Sequence, residues 1–240
     1  AIDPPVLLLD EPLSNLDARI RHNMRHELKA LQKRLGLTTI LVTHDREEAM
    51  AMADRIVIID QGTVAQAGTP EGVYLRPRSE FVASFMGAEN ALIVDMLVDD
   101  GQAVISGSHV SGTCRLPLAR TPEDRGVHCV YGGGDVPGKQ QVMTARFRSE
   151  AASLMPRGEA PAQHLALTGD VTQHSYIGGV YRHSVRVGKH DFLVDHAEKI
   201  SVGELADVCI PAAALHLFGQ SGKSAATGPA GGNARPIPTV

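Results

Sequence analysis

A run of four aliphatic residues that ends in acid, Val6-Leu7-Leu8-Leu9-Asp10-Glu11-Pro12, constrains this chain most. An unbroken apolar run of that length, preceded by Pro4-Pro5, reads as a fully buried strand of a parallel sheet. On an extended backbone the neighbouring carboxylates of Asp10 and Glu11 point to opposite sides, and at the strand's end both can be exposed. Ser14-Asn15-Leu16-Asp17 comes next, and then Ile20, Met24, Leu28, Leu31 and Leu35 recur at three and four residues. That spacing predicts an amphipathic helix over 18–35, with Asp17 as N-cap and Gly36 just past its end. Residues 39–42 form the next buried strand, which runs into Thr43-His44-Asp45. A short helix over 46–53 follows, then a hairpin of strands 55–60 and 63–66 around Gln61-Gly62. Further short helices start at Thr69-Pro70-Glu71 and span 79–86. Strand alternating with helix is the pattern of a parallel sheet with right-handed crossovers.

Near Gly87 the character changes. Helical periodicity gives way to short alternating runs over 92–98, 102–105, 142–147, 165–171, 181–187, 191–194 and 206–210, separated by turn residues. Such spacing predicts an all-β sandwich or small barrel. The domain reading is therefore 1–88 for the α/β part and 89–219 for the β part. Residues 220–240 are small, polar and rich in glycine and proline, and read as a disordered tail.

The 240 residues are 43% hydrophobic and 21% charged with net charge −4, an ordinary globular balance that gives no electrostatic case for nucleic acid. Cys114, Cys129 and Cys209 lie far apart without a C-x-x-C, so free thiols in a reducing compartment are expected. No apolar run reaches 18 residues, and no basic-then-apolar leader is visible. Ala1 stands inside what reads as a helix-to-strand connection, so the chain is expected to be part of a longer protein. His22 and His26 share a helix face, but a zinc site there lacks a third ligand.

The order Leu-Leu-Leu-Asp10-Glu11-Pro12, Ser14-Asn15-Leu16-Asp17 and Thr43-His44-Asp45 resembles the nucleotide-binding subunits of ABC transporters over roughly residues 1–88. The resemblance implies a truncated P-loop NTPase (RecA-like) parallel sheet, with ATP and Mg²⁺ as cofactors. Asp10 then serves the metal, through water, and Glu11 is the catalytic base. His44 bonds the γ-phosphate and positions the attacking water. Ser14, Asn15, Leu16 and Asp17 form the loop that meets a second copy of the subunit. Neither a G-x-x-x-x-G-K-[ST] phosphate loop nor an LSGGQ-type signature occurs in the 240 residues. Gly222-Lys223-Ser224 ends like such a loop, yet Leu217 stands where its first glycine belongs.

More loosely, residues 90–218 resemble the TOBE domain, an OB-like β-barrel appended to importer ATPases. Gly169-Asp170-Val171, Tyr176-Ile177-Gly178-Gly179, Val185, Val187, Val202-Gly203-Glu204 and Leu215-His216-Leu217-Phe218 carry this likeness. In the stretch Arg146-Phe147-Arg148-Ser149-Glu150, Ser149 replaces a proline frequent in the family. Gly132-Gly133-Gly134 and Asp135 read as a flexible loop. The resemblance implies the energising ATPase of an importer for a small solute, held peripherally at the cytoplasmic face of the membrane. Its partners would be transmembrane permease subunits and, indirectly, a solute-binding protein. The alternative is a non-catalytic regulatory or dimerisation module. An ATPase of DNA maintenance is disfavoured, since nothing basic or coiled-coil-like follows Asp45. Exposed apolar surface near residues 6–9 and 40–42, and self-association through it, are also expected.

Overall fold

A computed structural model describes residues 6–121, 124–130 and 139–219; the side chain of Ala18 is also left aside. The expected tail, the Gly132–Gly134 loop with Asp135, and Gly222-Lys223-Ser224 lie outside the described residues.

The leading layer comprises β1 (Val6–Asp10), α1 (Ala18–Leu35), β2 (Thr38–Val42) and α2 (Arg46–Met52). Asp17 caps α1 by accepting from the backbone N–H groups of Arg19 and Ile20, and Gly36 closes it in the left-handed region. Strands β1 and β2 pair in parallel, Val6 opposite Thr38 through Asp10 opposite Val42, so both chain segments end on one sheet edge. Among the described residues the parallel part has two strands, and β3 (Ile56–Asp60) pairs antiparallel with β4 (Thr63–Gly68) in a separate hairpin. Full burial of Val6–Leu9 gives way to the expected exposed apolar surface: Leu8 is 70% and Ile40 is 53% exposed, and the outward face they share with Val6 and Val42 is open. Two strands with one covered face cannot bury an all-apolar run.

The hairpin, α2, α3 (Pro70–Leu75) and α4 (Glu80–Phe85) share a small core of Ile56, Ile58, Val73, Val82 and Met86. Thr69 and Ser79 cap the two short helices through their hydroxyls. At Gly87, φ is +96°, a left-handed conformation that favours glycine, and the Arg46 guanidinium of α2 packs close against it.

Beyond Gly87 two sheets close on one core. One runs Cys114–Pro117 (β7), Gln102–Ser106 (β6), Asn90–Asp99 (β5), Gln141–Phe147 (β9), His216–Gly219 (β15) and His128–Val130 (β8). The other runs Ser153–Pro156 (β10), Leu205–Pro211 (β14), His164–Tyr176 (β11), Tyr181–Val187 (β12) and His190–His196 (β13). Leu92, Val94, Met143 and Phe147 from the first sheet pack with Leu165, Val185, Val187 and Phe192 from the second, and Phe147 stacks on Phe192 at 5.8 Å. This curled, strand-rich arrangement is consistent with an OB-like barrel. Val185 and Val187 lie in its core and Gly178-Gly179 turns the chain between β11 and β12, as the alternation predicts.

The Arg146–Glu150 stretch joins this β region to α3 and α4. Arg146 pairs with Glu80 at 2.8 Å and donates to the Ala88 carbonyl at 3.0 Å. Arg148, only 4% exposed, donates to the carbonyls of Tyr74 and Met86 and lies 3.5 Å over the Tyr74 ring. Ser149 uses its hydroxyl to donate to Asp195, which Arg182 also holds.

Candidate functional site

Parallel pairing places Glu11 and His44 just past adjacent strand ends, the edge where open α/β sheets bind ligands. Glu11 leaves the strand with φ +44°, a left-handed conformation that costs a non-glycine residue about 1–3 kcal/mol. The surroundings hold it there. Its N–H donates to the Val42 carbonyl at 2.9 Å, and its carbonyl accepts from the Ser14 hydroxyl at 2.9 Å and the Ser14 N–H at 3.2 Å. The strained turn swings the Glu11 carboxylate across to His44, where Oε1 lies 2.8 Å from Nδ1.

The residues on either side of His44 are fixed by bonds of their own. The Thr43 hydroxyl donates to the buried Glu48 carboxylate at 2.8 Å and accepts from the Asp45 N–H at 3.0 Å. Asp45 caps α2, accepting from the N–H groups of Glu47 and Glu48. The hydrogen bond to Glu11 and its negative charge raise the His44 pKa above 6.5. Glu11, Ser14, Thr43, His44 and Glu48 line a cleft of about 40 Å³. That is room for a water or two, since a water occupies about 30 Å³ in the liquid.

Asp10 stands exposed at the end of β1, and its carboxylate makes no hydrogen bond or ion pair among the described residues. An open carboxylate suits Mg²⁺, which keeps several waters and needs few protein oxygens. No group of three or more histidine, cysteine, aspartate or glutamate side chains that could hold a metal ion occurs among the described residues. His22 and His26 meet edge to face at 4.9 Å and acquire no third ligand. Ser14 sits against Glu11, Asn15 is exposed, Leu16 offers its carbonyl to Arg21, and Asp17 is occupied as the α1 cap.

Sequence reasoning missed the cationic side of the site. Arg25 reaches Asp45 and Glu47, both at 3.3 Å, and Arg21 reaches Asp45 at 3.5 Å. The signal was available as a basic residue at every fourth position of α1, on the face that flanks the apolar stripe. A larger cavity of about 260 Å³ lies in the β region, lined by Asp95, Ser108, His109 and His190 among others. Among the described residues no hydrogen bond or ion pair joins Asp95, His109 and His190 there, though the two histidine rings meet edge to face at 5.6 Å. Cys114 and Cys209 are free thiols, and no helix among the described residues is long and apolar enough to cross a membrane.

The chain is a relative of the ATP-binding subunits of ABC importers. It is 36% identical over 230 residues to the sn-glycerol-3-phosphate import ATP-binding protein UgpC of Vibrio vulnificus (strain YJ016), covering 92% of this chain and 54% of that protein. The Fe(3+) ions import ATP-binding protein FbpC 1 of Rhizobium meliloti (strain 1021) is 36% identical over 210 residues, 87% of this chain and 53% of its own. The spermidine/putrescine import ATP-binding protein PotA of Borreliella afzelii (strain PKo) is 32% identical over 217 residues, 90% of this chain and 55% of its own. The chain thus spans about half the length of the curated relatives it matches. No family model matches it. The solved cytoplasmic molybdate-binding protein ModG, with molybdate bound, aligns at TM-score 0.37 and 11% identity over 53% of this chain and 94% of that one, too loosely to argue from.

Proposed function

We propose that this chain carries the hydrolytic edge and the β appendage of the ATP-hydrolysing subunit of an ABC-type importer for a small solute. The Glu11–His44 contact of 2.8 Å, made across two parallel strand ends at the mouth of a water-sized cleft, carries this reading. The phosphate-binding half is not in these 240 residues, which contain no phosphate loop, so hydrolysis belongs to the full-length protein. A truncated P-loop NTPase layer is the reading that fits β1, α1, β2 and the order of the Asp10-Glu11, Ser14–Asp17 and His44 elements.

Glu11 is the general base. Its carboxylate, aimed by the strained turn, accepts a proton from a water held in the cleft. His44 orients that water and donates a hydrogen bond to a phosphoryl oxygen, a contact that strengthens as charge develops there. Asp10 would hold a Mg²⁺ ion through water, and such an ion would supply charge neutralisation at the phosphates. Ser14, Asn15, Leu16 and Asp17 form the loop that faces a second copy of the subunit. The permease subunits, a solute-binding protein acting through them and a peripheral position at the cytoplasmic face of the membrane follow from the same reading. Three relatives named for different solutes support an importer class without choosing a cargo.

Mg-ATP turnover by the full-length protein tests this. His44→Ala should lower turnover roughly 10²-fold through loss of one transition-state donor, and Asp10→Asn should raise the Mg²⁺ concentration needed for half-maximal rate. Unchanged kinetics in both variants would sink the site assignment. The regulatory or dimerisation reading gains support from the missing phosphate loop alone, and it predicts that full-length protein shows no ATP turnover at all.

A further inference from the structure

Helix α1 does more than cross from β1 to β2. Arg21, Arg25 and Lys29 are spaced four apart and fall on one helical face. All three reach α2. At its start, Arg21 and Arg25 pair with Asp45, and Arg25 forks to Glu47. At its end, the Lys29 ammonium donates to the Ala51 carbonyl at 2.8 Å. The sites match the helix's own polarity, since the terminal carbonyl carries partial negative charge and Asp45 is the N-cap. Lengthwise sliding of α2 along α1 would therefore break a contact at one end or the other.

We infer that this basic stripe is a positioning device, in which Arg21, Arg25 and Lys29 grip both ends of α2 and thereby fix where His44 meets Glu11. The inference rests on the reading of Glu11 and His44 as the hydrolytic pair. The connection is short. Asp45, held by the arginines, is the next residue after His44, and its N–H is bonded to Thr43, whose hydroxyl is tied to Glu48 on α2. Arg25 is the central member: its side chain is 12% exposed, and it alone touches two carboxylates of the loop and helix. Arg21 adds a donation to the Leu16 carbonyl at 3.0 Å, which ties the Ser14–Asp17 loop to the same grip. Exposed ion pairs contribute little stability, about 0–1 kcal/mol each. A rigid fork between two carboxylates contributes geometry instead, which a lysine would not reproduce.

The titration of the His44 imidazole, followed by NMR on the 240-residue chain, separates this role from a merely electrostatic one. Glu11 faces the ring from the end of β1; Asp45 beside it and Glu48 from α2 are the other anions; Arg21 and Arg25 stand behind Asp45. Removing a cation without moving the loop makes the ring easier to protonate, so an undisturbed site responds to Arg25→Met with a higher midpoint or none. The positioning role predicts the reverse. The midpoint should fall from its raised value toward that of Glu11→Gln, in which the contact is deleted outright, and Arg25→Lys should fall part of the way. A rise or no change in Arg25→Met overturns the inference. If Arg25→Met does not fold, Arg21→Met, at a more exposed arginine, should give a smaller fall, and a rise or no change there is equally fatal. A fall in the midpoint together with unchanged full-length turnover in Glu11→Gln keeps the positioning device and rejects the hydrolytic reading.

Discussion

The two ends of this molecule solve burial differently. The β region buries Phe147, Leu165, Leu167, Val185 and Ile210 completely between two sheets that close on each other. The leading layer has a parallel pair covered on one face, and its outward row from Val6 to Val42 faces solvent. Its order comes from polar devices: an N-cap at Asp17, another at Asp45, a strained turn at Glu11 and the arginine grip. A hydrophobic core fixes a fold without regard to which polar atom meets which, whereas directional contacts fix individual side chains. The candidate chemistry lies in the second kind of region.

The sharpest way to break the comparison is truncation of a side chain in each. Phe147→Ala should cost about 3–5 kcal/mol in denaturant unfolding of the β region, while Leu8→Ala should stay within about 0.5 kcal/mol. Similar losses would mean the leading sheet is better covered than its exposure indicates.

Acid gives the next effect. Burial, with Arg148 nearby, pushes His216 down to about 3, and burial pushes His128 down to about 4. Between those values and 6.5 the unfolded chain binds more protons than the folded one, so stability is full above about pH 6.5 and falls as pH drops. For His216 the loss is on the order of 4 kcal/mol by pH 3. His44 runs the other way. Its pKa is raised by Glu11, so its ion pair is complete below 6.5 and is lost as pH rises through the folded value. Urea midpoints of the β region compared at pH 7 and pH 4, beside His44 shifts over pH 6–9, should move in these opposite senses; a β region equally stable at pH 4 would contradict the buried neutral pair.

The smallest effect concerns the open sheet face. We expect the chain to self-associate through it, so that Leu8→Ser with Ile40→Ser lowers the mass seen by light scattering while changing stability by about 0.5 kcal/mol or less. A wild-type chain that remains monomeric across a wide concentration range removes that expectation.

Helix α1 was legible to the residue because Asp17 and Gly36 bracket its apolar period, and the Gln61-Gly62 turn announced its hairpin. The strand β12 was equally clear from strict alternation. Strands β7, β8 and β10 went unread because three or four residues, with Arg115, His128 or Pro156 among them, show no period. β11 extends to Tyr176, past the 171 expected, because its polar second half is paired with β12 beyond a bulge near Thr172. Burial of Val6–Leu9 was misjudged because an apolar run says that a strand wants cover, not that the chain provides it. At the site, Asp10, Glu11 and His44 were legible as residues; the contact between the last two depended on a left-handed turn at a non-glycine, which no local pattern reveals. Arg148 was missed for a similar reason, since a cation sealed under Tyr74 looks like a surface residue in sequence.

The central claim, that Glu11 is the base aimed at a water beside His44, is tested most directly by Glu11→Gln in the full-length protein. Phosphate release should fall by roughly 10²–10⁴, the range for a lost general base. ATP binding should persist, because glutamine keeps the volume and a hydrogen-bonding group, and ATP should accumulate in a dimer that elutes early on a sizing column. Wild-type phosphate release from that variant, with no ATP-loaded dimer, would contradict the account.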